Sequence, residues 1–328
     1  MDRRSFLKSA AATTLLAAAC PVALADAVEM PVIDCHIHLF DPTRPGGVPW
    51  PEKANSVLFR PALPDRYAQL AEPHGVIGAI AVECSPWLID NFWLCDTVEK
   101  NTLMLGYIGD LLPEASEFGA TLDRLHRSDL FLGIRYGNLW NRSLRDAVEK
   151  PEFVDGLKLL AQAGLVLETA NPDATLIAAT LRVSDRVPNL RIVVDHLPNA
   201  QIPENAQARN AYESDLRDLS QRPQIFVKGS EILHRVAGEV SMDIAAYKAG
   251  LDQIWNLFGE DRVLFGSDWP NSDLISDYDH TFSIAKSYIS TQSHSAEEKY
   301  FWRNSIDVYR WKGRSAAQRR LGTMIANI

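Results

Sequence analysis

The sequence predicts an α/β protein built as a single (β/α)8 TIM barrel. Eight short β-rich runs alternate with longer amphipathic stretches, which is the pattern of successive parallel βα units. Several of these runs are almost wholly apolar, Val76 to Val82 above all, as expected of strands buried on both faces. No linker rich in Pro, Gly or Ser divides the 328 residues, and no internal repeat is present. A barrel of roughly 250 residues with some enlarged loops uses this length as one domain. With 46% hydrophobic and 23% charged residues, the chain is neither disordered nor collagen-like.

The first 25 residues read as an export signal peptide. Arg3, Arg4 and Lys8 give a basic start, Ala10 to Ala19 an apolar run, and Ala23-Leu24-Ala25 a small-residue cleavage site. The string Arg3-Arg4-Ser5-Phe6-Leu7-Lys8 resembles a twin-arginine signal, which implies the twin-arginine export machinery as a partner and a periplasmic or secreted location. A Sec-type signal with a chance basic start is the alternative. Cys20 follows small residues, but Ala17 stands where a lipoprotein signal carries a large apolar side chain. Removing 1–25 takes a net +2 from the chain charge of −9 and leaves an acidic body, 26–328, at −11. Such a body is a poor partner for nucleic acid or anionic lipid. The remaining Cys35, Cys84 and Cys95 are an odd number and make no complete disulfide framework. No further run reaches the roughly 20 apolar residues of a membrane span.

Strands are expected at Val32 to His36, Val76 to Glu83, Thr102 to Ile108, Leu130 to Tyr136, Leu165 to Thr169, Leu190 to His196, Gln224 to Lys228 and Arg262 to Asp268. Between them, Phe153 to Ala163 and Ile244 to Phe258 carry apolar residues three and four apart and read as helices. Phe40 to Pro64 and Pro198 to Leu216 read as long loops that shape the mouth of the barrel.

Chemistry concentrates at the expected strand ends, where barrel active sites are built. In Asp34-Cys35-His36-Ile37-His38, strand alternation sends both imidazoles to one face, where they can converge on a metal ion or a substrate oxygen. His196 ends the sixth strand and Asp268 the eighth. Taken singly, each also reads as a buried core histidine or a turn-forming carboxylate. Closing the barrel brings the four onto one rim. Glu83, Arg135 and Lys228 end further strands and are candidate substrate-binding groups, Arg135 as a clamp for a carboxylate or hydroxyl; for Arg135 and Lys228 a structural ion pair under the rim is the equal alternative. Trp50, Trp87, Trp93 and Trp269 follow strand ends, and Trp269 is expected to touch substrate. His74, His126, His234, His280 and His294 are expected to be bystanders. Alternation turns Cys35 and Cys84 toward the helix layer.

The Ile-Asp-Cys-His-Ile-His opening, the Val-Val-Asp-His strand and the Phe-Gly-Ser-Asp-Trp-Pro strand resemble the amidohydrolase superfamily, in the amidohydrolase-related branch that holds sugar and dicarboxylate lactonases. Phe131 to Arg135, Phe226 to Ser230 and Asn304 to Tyr309 support the likeness, which runs over about residues 30 to 312. The resemblance implies a barrel whose site holds His36 and His38 from the first strand, His196 from the sixth and Asp268 from the eighth. The fifth strand lacks a histidine and no carboxylated lysine is evident, so a binuclear centre is not expected. One divalent metal, zinc first, on His36, His38, His196 and Asp268 is one expectation; a metal-free mechanism is the other.

On this resemblance the expected activity is opening of a small-molecule lactone. Asp268 would take a proton from water and return it to the leaving alkoxide, while the three histidines polarise the carbonyl. Metal-dependent non-oxidative decarboxylation and lactone isomerisation are the alternatives within enzymes. A non-catalytic periplasmic binding protein is the alternative outside them.

Overall fold

The computed structural model describes residues 30–236 and 238–326. The expected signal peptide, with Cys20, lies outside them. Eight parallel strands form one sheet in chain order: β1 (Val32–Ile37), β2 (Val76–Val82), β3 (Met104–Gly109), β4 (Phe131–Arg135), β5 (Val166–Thr169), β6 (Arg191–Val194), β7 (Ile225–Gly229) and β10 (Val263–Phe265). The sheet curls round until β10 runs out beside β1. There His38 N donates to Trp269 O at 2.7 Å and Asp268 N to His36 O at 2.9 Å. The barrel is nearly closed, β1 and the chain after β10 meeting through one bridge, Ile37 with Trp269, and it is this seam that carries the site.

All eight expected strands form, within two or three residues at most ends. The eighth is the exception: its regular pairing stops at Phe265, and Gly266 to Asp268 continue outside the ladder. The helices Pro151–Gln162 and Lys248–Phe258 form close to where periodicity places them, the first with Pro151 in its opening turn, where a missing N–H costs nothing. The stretch Pro198 to Leu216 is not the long loop expected. Asn205 Oδ1 accepts from Ala208 N at 3.1 Å and opens a helix, Ala206–Ser220. Only Tyr212, Leu216 and Leu219 of its apolar residues reach the core, so its first two turns carry no apolar stripe to read. The long excursion comes instead after β7, where β8 (Arg235–Val236) and β9 (Glu239–Val240) pair antiparallel.

The end of the barrel opposite the site is stoppered. Gln318, on the helix Ala316–Ala326, donates to Ile77 O at 2.7 Å and Thr102 O at 2.8 Å, and the Arg314 guanidinium reaches Val98 O and Met104 O, each at 2.7 Å. No helix among the described residues is long and apolar enough to cross a membrane.

Candidate active site

The first strand departs from strict alternation. Its register against β2 shifts between Asp34 and Ile37. Asp34 consequently turns outward, where its Oδ2 accepts from Tyr67 Oη at 2.8 Å and Tyr278 Oη at 3.2 Å, while Oδ1 accepts from Ser267 N at 2.9 Å. His36 turns inward, while the Cys35 thiol is buried and reaches Ile33 O at 3.7 Å. Cys84 differs from expectation, because the chain has left β2 by that point and its side chain lines the cavity.

His36 Nε2 and His38 Nε2 lie 3.3 Å apart. Asp268 Oδ1 is 3.5 Å from the first and 3.1 Å from the second. The His196 ring stands 4.5 Å from that of His36, centroid to centroid. The four residues named from sequence are thus brought together. Asp195 and Glu231 join them within metal-ligand spacing.

Each side chain is held from behind. His38 Nδ1 pairs with Val82 O at 3.0 Å; the carbonyl can only accept, so the proton sits on Nδ1 and the Nε2 lone pair faces Asp268. His196 Nδ1 pairs with Ser230 Oγ at 2.8 Å. Asn271 Nδ2 donates to Asp268 Oδ2 at 2.7 Å. Asp268 Oδ1 is buried with no hydrogen-bond donor on it among the described residues. An uncompensated buried oxygen beside two imidazole nitrogens is what a cation or a reacting water would satisfy.

Burial, with Lys228 and His196 next, drives the His36 imidazole well below its ordinary range. Burial and then Arg135 bring His38 to about 4. Both rings are therefore neutral near pH 7, the state a metal ligand requires. Burial pushes the Asp268 carboxyl up to about 8, the neighbouring His196 opposing and Glu231 adding to the rise. The donor set of neutral imidazoles with a carboxylate fits one divalent metal ion, and His36, His38, His196 and Asp268 are the residues that would hold it.

The cluster opens on a cavity of about 200 Å³, lined by His38, Arg135, His196 and Asp268 together with Trp50 and Trp140. Of the seven non-glycine residues with left-handed φ among the described residues, five line it: Trp140, Asn171, His196, Glu231 and Asp268. Such backbone costs on the order of 1–3 kcal/mol per residue and persists where surrounding structure enforces it. Here it turns each strand end so that the side chain faces inward.

The remaining residues named from sequence sort differently. Arg135 reaches the cavity, but its Nε donates to Glu83 Oε1 at 2.7 Å and its Nη2 to Glu83 O at 2.6 Å. Glu83 also accepts from Trp140 Nε1 at 3.1 Å, so each of the two is committed to the other before any ligand arrives. Lys228 does not reach the cavity. It is fully buried beneath His36, with Nζ 2.7 Å from Glu168 Oε2 and 3.1 Å from Asp195 Oδ1. Trp269 is also fully buried, packed on Tyr67 with the Arg66 guanidinium 4.9 Å from its ring, and is no part of the cavity wall. An indole directly after the eighth-strand aspartate points outward because Asp268 points in. Trp140, Asn171, Glu231 and Asn271 carried no signal in the sequence, since each follows a strand end in a loop. His234 lines a second cavity.

A model of the amidohydrolase family matches residues 33–311. The chain is 25% identical over 243 residues to an L-fucono-1,5-lactonase of Burkholderia ambifaria, covering 74% of this chain and 81% of that protein. It is 26% identical over 285 residues to an L-fucono-1,5-lactonase of Burkholderia multivorans, covering 82% and 92%. A crystal structure of an amidohydrolase from Burkholderia multivorans with bound zinc superposes with a TM-score of 0.75 at 20% identity, covering 86% of this chain and all of that one, which supports the fold.

Proposed function

This chain belongs to the amidohydrolase family, and on that premise we propose that it is a hydrolase that opens a lactone ring by attack of water, with Asp268 as general base. The observation that carries the proposal is Asp268 Oδ1: buried, without a hydrogen-bond donor, 3.1 Å from His38 Nε2, on a residue that lines an open cavity. The two lactonase relatives support the substrate class.

The chemistry divides among the residues in place. Ionised Asp268 takes a proton from water as the new C–O bond forms. In the metal-free form, His196, whose Nδ1 is engaged by Ser230, offers its other nitrogen to the ester carbonyl, where negative charge develops; with a divalent ion bound, that nitrogen would be a ligand instead. As the ring C–O bond breaks, the proton on Asp268 passes to the leaving alkoxide and yields a hydroxy acid. A divalent ion, zinc first, would act as a Lewis acid on the carbonyl and by its charge favour the ionised form of Asp268. Lys228 and Glu83 with Arg135 hold the cluster in shape from below and from the side.

The test is acid release from a panel of aldonolactones and dicarboxylate lactones, with and without chelator. Hydrolysis of at least one lactone, lost by a factor of a hundred or more in Asp268→Asn on the scale usual for a general base, is expected. Near-normal turnover in that variant overturns the assignment, and carbon dioxide release without ring opening would identify a decarboxylase. We further propose export through the twin-arginine route, checked by whether Arg3→Lys with Arg4→Lys retains the protein in the cytoplasm.

A further inference from the structure

A second cavity of about 190 Å³ adjoins the first, and Glu231, Asp268 and Asn271 line both. The shared wall is not sealed: the Glu231 side chain keeps 24% of its surface in solvent. A ligand lying over Glu231 would therefore occupy both lobes at once. The lobes differ in chemistry. The first holds the His38 and His196 imidazoles with Asn171 and the edges of Trp50 and Trp140. The second is walled by Leu233, Leu274 and Ile275, beside His234 and Thr281. Leu274 and Ile275 are 43% and 36% exposed, so apolar surface is left open there beside the reacting group. No Lys or Arg lines the second lobe, and the one that lines the first, Arg135, is already paired with Glu83. Glu231 adds an acidic group between the lobes.

We propose that the substrate is an uncharged lactone carrying an apolar arm, its ring seated in the first lobe under His38 and His196 and its arm lying across Glu231 against Leu233, Leu274 and Ile275. This rests on the lactonase reading and narrows it. A carboxylate arm would meet Glu231 with no free cation to receive it, whereas an alkyl or aryl arm covers the exposed leucine and isoleucine. A sugar-like lactone needs only the first lobe.

The test is kcat/KM of the purified protein on six-membered lactones bearing, on the carbon that carries the ring oxygen, no arm, a methyl, a propyl or a hexyl arm, and a hexyl-length arm ending in a carboxylate. Each methylene that enters the lobe is expected to raise kcat/KM about fourfold until the lobe fills, with the hexyl lactone at least tenfold better than the unsubstituted one and the terminal carboxylate cancelling the gain. In Leu274→Arg the ratio of hexyl to unsubstituted kcat/KM is expected to fall at least tenfold. A flat or falling series on an enzyme that still opens the unsubstituted lactone overturns this inference and leaves lactone hydrolysis standing. A rising series whose ratio is untouched by Leu274→Arg overturns the placement of the arm. Acid release from no member of the series overturns both readings.

Discussion

Lys228 Nζ lies 3.0 Å from His36 Nδ1, and neither side chain has any surface in solvent. Although burial disfavours its charge, Asp195 and Glu168 hold the lysine above its ordinary value, so it is an ammonium. It engages His36 Nδ1, so the other ring nitrogen, Nε2, is the one turned toward His38 Nε2 and Asp268. One buried lysine thus joins the polar floor of the barrel to the reacting groups above it.

Removing that ammonium strands the carboxylates of Glu168 and Asp195. Lys228→Met is expected to cost about 3–5 kcal/mol of stability at pH 7, the range for breaking a buried pair by deleting one partner, read from urea unfolding.

The same variant has a pH signature. Burial and then Asp195 already push Glu168 up to about 7 from an ordinary 4.5, and loss of Lys228 pushes it further. A carboxyl whose folded value is raised binds more protons folded than unfolded, so its penalty is present above the unfolded value and relieved as pH falls toward it. The stability gap between Lys228→Met and the parent should narrow from pH 7.5 to pH 5. A gap that is constant or widens on acidification contradicts the assignment.

Gly266 touches the site through its missing side chain. A Cβ there would stand 2.8 Å from His36 Cβ, inside contact distance. Gly266→Ala is expected to destabilise by about 1–3 kcal/mol as other overpacked sites do and, by displacing His36, to lower kcat/KM about tenfold or more at temperatures where the variant remains folded. Steady-state kinetics below the unfolding transition separates the two effects.

If the cluster holds a divalent ion in the purified protein, His38→Ala should carry less than about a tenth of the parent's metal by elemental analysis, since loss of one of a few ligands removes several kcal/mol of binding. Thermal unfolding of the parent should shift down on chelation, and that of His38→Ala should not.

Trp269 belongs to packing. Trp269→Phe is expected to lower stability by about 1–3 kcal/mol with KM unchanged within about twofold; a large rise in KM with intact stability would return the indole to the substrate.

The fold was legible because eight apolar runs separated by amphipathic helices admit few arrangements. So was the cluster, since His36, His38, His196 and Asp268 stand at strand ends and a barrel gathers such ends on one rim. What alternation could not supply was the direction of residues beside an irregular bond pattern. Asp34 and Cys84 each face otherwise than period two implies, because the β1 register shifts and β2 ends at Val82.

The sequence by itself determined the barrel, the acidic body and the identity of the four rim residues, all of which follow from local pattern and strand order. Only the tertiary structure decided who pairs with whom: that Arg135 is consumed by Glu83, that Lys228 supports His36 from beneath, that Trp269 faces away, and that Glu231 stands between two lobes. Those facts depend on contacts between residues 50 to 240 positions apart and on the left-handed turns at the strand ends, which no local pattern encodes.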